Sequence, residues 1–310
     1  MNTSLVLMSK LASMMLVAAV GFATIRTGVL EERDKAQLAK LTLYVLQPCL
    51  IVLSFQIDLT PARMKGFLAA LLFSVFVHLL FIIVSGLLGR LGMLGVVEEL
   101  SLIYTNCGNL ILPIVSMTMG EEMVFYASAY QITYNLLFWT HGVSRMRGTR
   151  SIEWKKILLN PNIIAIFAGI LLLVTGISIP GILRTSMEML EGMVGPSCML
   201  VIGMTLAGSS LREIFSLRQV YLVAFLRLLV LPFLALAALW ASGLLRRYPE
   251  LVPVLRVSIL AVAAPPGANV SQTAVLYNRE PVRAGFYNLF SMLLCVLTMP
   301  LIDFLYAALM

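Results

Sequence analysis

Charge is what this sequence has least of. Asp, Glu, Lys and Arg together make up 12% of its 310 residues, where a soluble domain carries roughly 25%. Histidine is scarcer still, with only His78 and His141, and no ligand cluster of His and Cys has metal spacing. No GxxxxGK[ST], HExxH or GxSxG motif occurs, so the sequence offers no nucleotide machinery, no metal, no cofactor and no enzyme chemistry. The four cysteines, Cys49, Cys107, Cys198 and Cys295, form no CxxC pair and fall in apolar stretches, where buried thiols are expected. Long hydrophilic connections are missing too. The longest, SRMRGTRSIEWKK at residues 144–156, is too short for a soluble catalytic or nucleic-acid-binding domain.

What is present is apolar: 60% of the residues are hydrophobic and the mean hydropathy is +0.96. A membrane span needs roughly 20 such residues. Ten windows meet that requirement, near 5–25, 36–55, 66–89, 98–120, 123–143, 159–179, 186–208, 219–240, 252–276 and 284–308. The expectation is an all-α membrane protein of ten transmembrane helices. Its first positive charge, Lys10, already lies inside the first apolar run, so that run reads as a retained span rather than a signal peptide.

The net charge of +7 follows the pattern of membrane loops, where Lys and Arg collect on the cytoplasmic side, and does not call for nucleic acid. The even-numbered connections hold five basic residues, Arg63, Lys65, Arg184, Arg246 and Arg247, while the odd-numbered ones hold thirteen. Both termini are therefore expected outside an inner or plasma membrane, with the 144–156 linker in the cytoplasm.

Five windows precede that linker and five follow it, dividing the chain into 1–143, the linker 144–156, and 157–310. Because five is odd, the second half must run inverted relative to the first. Corresponding places match: Pro48 in the second window pairs with Pro196 in the seventh. The fourth window, YTNCGNLILPIVSMTMG, carries Asn106, Gly108, Asn109 and Pro113, and its partner, the ninth, reads AVAAPPGANVSQTAVL with Pro265, Pro266, Gly267, Asn269 and Gln272. Each proline removes a donor and frees the carbonyl four residues earlier, at Asn109, Ala261 and Val262. One such proline is often only a kink. Polar breaks in two corresponding spans point instead to a site where interrupted helices cross.

Taken in order, NCGNLILP, NPNIIAIFAGILL, VGPSCMLVIGMTLAG and APPGANVSQTAVLY resemble the auxin efflux carrier family, which includes plant auxin exporters and bacterial carriers of malonate-like anions, and the likeness runs over nearly the whole chain. The resemblance implies a ten-helix fold of two inverted repeats with crossed fourth and ninth helices, like bile-acid sodium symporters and sodium/proton antiporters. It further implies a scaffold from spans 1, 2, 6 and 7, often dimeric, and a moving part from spans 3 to 5 and 8 to 10. The long central loop of the plant members shrinks here to about a dozen residues, so its regulatory phosphorylation is not carried over.

Half-helices that begin at the midplane present positive dipole ends, which favour a carboxylate. Asn106, Asn109, Asn269 and Gln272 supply neutral donors there, and neither break contains the Asp or Glu that a cation site would use. In the fifth window, YQITYNLLFW, Gln131 and Tyr134 are further substrate contacts under the resemblance, with helix packing as the competing role. His78 is either a hydrogen-bonded core histidine or a proton relay. Arg227 either snorkels or neutralises an anion, and Asp303 has Arg227 or His78 as its expected partner. Glu188 and Glu191 share a face near the outer interface.

The expected function is a secondary transporter of small organic anions, working by elevator-type alternating access across the lipid bilayer, with a proton or sodium ion as candidate coupling partner and a homodimer as the expected assembly. The alternatives are a sodium- or proton-coupled cation carrier on the same fold, or a membrane receptor that binds without moving its ligand. Single cysteines placed in the 144–156 linker should resist an impermeant thiol reagent in intact cells and react after permeabilisation; labelling from outside would reverse the topology.

Overall fold

A computed structural model describes residues 3–56, 60–148, 158–208 and 217–309. Arg150, Lys155, Lys156 and Arg212, which enter the charge count, lie outside the described residues. The helices are α1 (Thr3–Arg26), α2 (Asp34–Ser54), α3 (Pro61–Arg90), α4 (Val96–Ile103), α5 (Cys107–Met119), α6 (121–147), α7 (Pro161–Thr175), α8 (Gly181–Ala207), α9 (Arg218–Ala241), α10 (Val252–Ala263), α11 (Ala268–Leu276) and α12 (Pro281–Leu309). No strand occurs among the described residues; the one β-like feature is an isolated antiparallel bridge between Thr105 and Pro266.

Among the described residues six helices, α1, α2, α3, α8, α9 and α12, are long and apolar enough to cross a membrane. The sixth window forms the shorter α7, of 15 residues. The fourth and ninth windows are broken, each into two helices: α4 and α5, then α10 and α11. Apolar side chains such as Leu72, Ile83, Leu87 and Leu297 face outward, as they must where the surroundings are hydrocarbon.

Proline shapes the helices through wide turns. Three π turns, Thr42–Leu46, Cys107–Ile111 and Leu226–Val230, each begin six residues before a proline: Pro48, Pro113 and Pro232. The missing N–H and the ring's clash with the preceding turn make the i to i−5 register the accessible one. Gln47 N–H accordingly reaches Thr42 O and Leu112 N–H reaches Cys107 O, so the next carbonyls in register, Leu43 and Gly108, face the prolines. The carbonyl opposite Pro113 is thus that of Gly108 rather than Asn109, a one-residue correction that the wide turn imposes. At Leu43 the gap is filled from another helix: Asn162 Nδ2 donates to Leu43 O at 2.8 Å. The NPN that opens α7 does three jobs, since Asn160 Oδ1 also caps Asn162 N–H at 2.9 Å and Pro161 occupies the first turn.

The helices pack in pairs, two of them between the first and second halves of the chain and two within a half. α1 lies on α8 and α7 on α2, while α3 lies on α6 and α9 on α12. The ends segregate as well. On one side the Gln56 amide bonds Ile177 O and Ile179 N–H, and Lys65 meets Glu250 at 2.5 Å, a contact that holds the Glu250 carboxyl below its usual range. On the other, Arg145 pairs with Glu99 and Arg279 donates to Arg145 O at 3.0 Å. Even-numbered connections therefore meet one another, and odd-numbered ones do the same.

The tightest interface is α1 on α8. A Cβ at Gly203 would overlap the backbone oxygen of Ala18, and one at Gly21 that of Leu200, so small residues let these backbones touch, as in other membrane helix pairs. Gly203→Val should destabilise the detergent-solubilised protein by about 1–3 kcal/mol. Gly192→Ala, with open space around it, should leave the melting temperature unchanged or slightly higher, and equal behaviour of the two variants would contradict the close approach.

Candidate functional site

The two breaks meet. Past Ile103 the chain extends at Tyr104 and restarts as a helix at Cys107; past Ala263 it extends at Ala264 and restarts at Ala268. The extended pieces run antiparallel and satisfy each other, with Asn106 N–H donating to Pro265 O at 2.9 Å and Gly267 N–H to Tyr104 O at 2.8 Å. From α12, Asn288 Nδ2 donates to Pro266 O at 2.6 Å. Gly267 is required by proximity, because a Cβ there would press on Thr105 O and the Tyr134 hydroxyl, each 3.0 Å away. Pro265 and Pro266 are thus one side of a joint and Tyr104 to Asn106 the other.

A small cavity sits at this joint, lined by Gln47, Thr105, Asn106, Gly108, Asn109, Gln131, Tyr134, Gly267 and Asn269, together with Leu50 and Ala268. Its free space is about 10 Å³, room for one water at most. α5 and α11 both begin here, so their first-turn N–H groups and positive dipole ends converge on it. Several side chains reach the cavity with polar atoms that have no protein partner: Asn106 Nδ2, Asn269 Oδ1, Gln47 Oε1 and Thr105 Oγ1. Buried polar atoms are normally satisfied, so an unpartnered group of this size marks a place prepared for something polar. Leu50 also borders a wider opening of about 370 Å³, edged by Arg63, Arg184, Glu188 and Glu191, on the side where the even-numbered connections gather. Glu188 is bound by Arg184 at 2.8 Å there.

Of the residues singled out in the sequence, Asn106, Asn109, Asn269, Gln131, Tyr134, Gly108 and Gly267 line the cavity. Gln131 is held in place: its Oε1 accepts from Cys107 Sγ at 3.0 Å, and its Nε2 reaches Asn135 Oδ1 at 3.4 Å. Tyr134 stacks on Phe138 with ring centres 5.5 Å apart. Pro265 and Pro266 form the joint itself, and Pro113 follows in the first turn of the helix Leu112–Met119. Gln272 does not reach the cavity; it is fully buried one turn further along α11, with neither amide atom partnered. Gln47, Thr105 and Asn288 were missed. Gln47 immediately precedes Pro48 and Asn288 is an amide in an apolar run, signals of the same kind as those that drew attention to the fourth and ninth windows.

Residues 145–302, just over half of the chain, match the membrane transport protein family. The chain belongs to this family, the auxin efflux carrier and membrane transport family. No curated protein sequence matches the chain. This is a family of membrane transporters rather than of enzymes, and the transporter's matched region holds α7 to α11 and most of α12, including Arg227, Gly267, Asn269 and Asn288.

The three coupling candidates of this transporter do not form one cluster. Asp303 pairs with neither Arg227 nor His78: Arg256 grips it through Nε at 2.7 Å and Nη2 at 2.8 Å, a planar fork that a single point charge would not provide. His78 is buried, with Nδ1 bonded to Ser74 O at 2.8 Å, its ring 4.8 Å from that of Tyr130, and Nε2 without a partner. Arg227 neither snorkels nor faces the cavity, since it is fully buried among backbone carbonyls. All four cysteines are free thiols, three of them buried. In a double-mutant cycle of Arg256→Gln and Asp303→Asn, the coupling energy in thermal stability should be on the order of 1 kcal/mol or more; additive effects would remove the pair.

Proposed function

We propose that this transporter moves small organic anions, carboxylates such as dicarboxylates or auxin-like acids, across the membrane by elevator-type alternating access. The observation that carries this reading is the chemistry of the crossing: two helix N-termini and a set of neutral amides and hydroxyls converge on one cavity, with no carboxylate among its described lining residues. A carboxylate gains charge-assisted hydrogen bonds from such donors, while a cation would meet the wrong end of both dipoles.

The architecture supports the rest. The correspondence of α1 on α8 with α7 on α2 between the halves, and of α3 on α6 with α9 on α12 within them, is what two inverted repeats, 1–143 and 157–310, produce when a two-fold axis relates them. In this reading α1, α2, α7 and α8 form the scaffold, paired with a second copy as a homodimer, and α3–α6 with α9–α12 carry the crossing past it. The cavity lies where α2 of the scaffold meets α6 and the starts of α5 and α11, and its small volume beside a wider opening suits a closed state next to an access route.

Counterflow in proteoliposomes tests the proposal, using labelled malonate, malate and indole-3-acetate with imposed pH or sodium gradients. Saturable exchange of at least one acid is expected. Asn109→Ala and Asn269→Ala should each weaken its affinity about tenfold or more, the size of one lost hydrogen bond to a charged group, with folded yield retained. Binding without flux would turn the reading toward a receptor, and neither binding nor flux of any carboxylate would turn it toward a cation carrier.

A further inference from the structure

The opposite poles of the two broken helices hold a second arrangement. α4 and α10 end at the crossing, and their last carbonyls have no helical partners. Arg227 takes them. Its Nη1 donates to Leu102 O at 3.0 Å, its Nε to Ala264 O at 3.1 Å, and its Nη2 to Val262 O. Leu102 lies in the last turn of α4, and Val262 in the last turn of α10 with Ala264 just beyond it. The guanidinium is fully buried, lies 5.5 Å from the centre of the Phe81 ring, and has no carboxylate partner among the described residues.

The charges balance without one. Each helix C-terminus carries roughly half a negative charge, so two converging C-termini amount to about one, which one guanidinium neutralises. In transporters with discontinuous helices, half-helix C-termini and unwound carbonyls are where a coupling sodium ion is coordinated. Here that position is filled by a side chain fixed to α9, at a π turn, Leu226–Val230, that sets Arg227 within reach of both helix ends.

We propose that Arg227 is a tethered counter-cation: its guanidinium replaces a soluble coupling ion at the C-terminal poles of the crossing, so the transporter binds no sodium there, and removing the guanidinium creates a site for a small monovalent cation. Arg227 is a positioning residue, acting through the backbone that carries Asn106 and Asn269. The inference rests on the proposed anion reading only in calling the ion it replaces a coupling ion. Its test contains no carboxylate, so failure of one does not bear on the other.

The test is the melting temperature of the purified full-length protein in sodium chloride, methylguanidinium chloride and N-methylglucamine chloride at equal ionic strength, combined with equilibrium binding of radioactive sodium. Wild type should melt at the same temperature in sodium and N-methylglucamine and bind no sodium. Arg227→Ala should melt lower, and millimolar methylguanidinium or sodium should raise its melting temperature saturably by several degrees, as ligand linkage requires. Saturable sodium binding by wild type would overturn the proposal, as would an Arg227→Ala protein indifferent to both cations. If Arg227→Ala does not fold, Arg227→Lys and Arg227→Gln decide, being close in size and different in charge. Lys should melt well above Gln, and equal melting would show that the position needs no cation.

Discussion

The structure depends on one constraint: within hydrocarbon, a backbone that leaves its helix must find partners inside the protein. Two helices are interrupted here, and each repairs the other. Asn106 and Gly267 donate across to Pro265 and Tyr104, Asn288 takes Pro266 O, and Arg227 takes the carbonyls at both helix ends. The same device recurs away from the crossing, where Asn162 serves the Leu43 carbonyl that Pro48 leaves open. Asn162, Asn288 and Arg227 thus act as substitutes for missing backbone donors within the apolar spans of this transporter.

That repair separates charge. The negative ends of α4 and α10 are closed by an internal cation. The positive ends of α5 and α11 are left with side-chain donors and acceptors that have no partner in the protein. The crossing is therefore electrostatically one-sided toward the cavity, and this asymmetry, more than any single asparagine, makes an anion the fitting substrate in the proposed function. It also gives the proposed site a way to hold a charged solute in a chain so poor in charge.

Much of this was legible beforehand because hydropathy and proline placement are local signals. The apolar windows, the breaks in the fourth and ninth, and the candidacy of Asn106, Asn109 and Asn269 at those breaks could be read from residue type and position along a span, whereas Gln131 and Tyr134 entered through the resemblance. Gln272 misled for a local reason as well: it shares the broken segment but lies one turn too far along α11 to reach the cavity. Gln47 and Thr105 escaped notice because each reaches the cavity from a segment read for its proline or its asparagines.

Residue identity alone determined that this chain lives in a membrane, where its helices are interrupted, and that the interruptions carry amides instead of carboxylates. Partner choice was decided only in three dimensions. Asp303 is held by Arg256, forty-seven positions earlier in the chain, and Arg227 by Leu102, one hundred and twenty-five positions away, distances over which sequence carries no geometric information. The register shift that moves the free carbonyl from Asn109 to Gly108 has the same origin: proline announces that a donor is missing, but the packing of neighbouring helices decides whether the backbone kinks, ends or widens to absorb the loss.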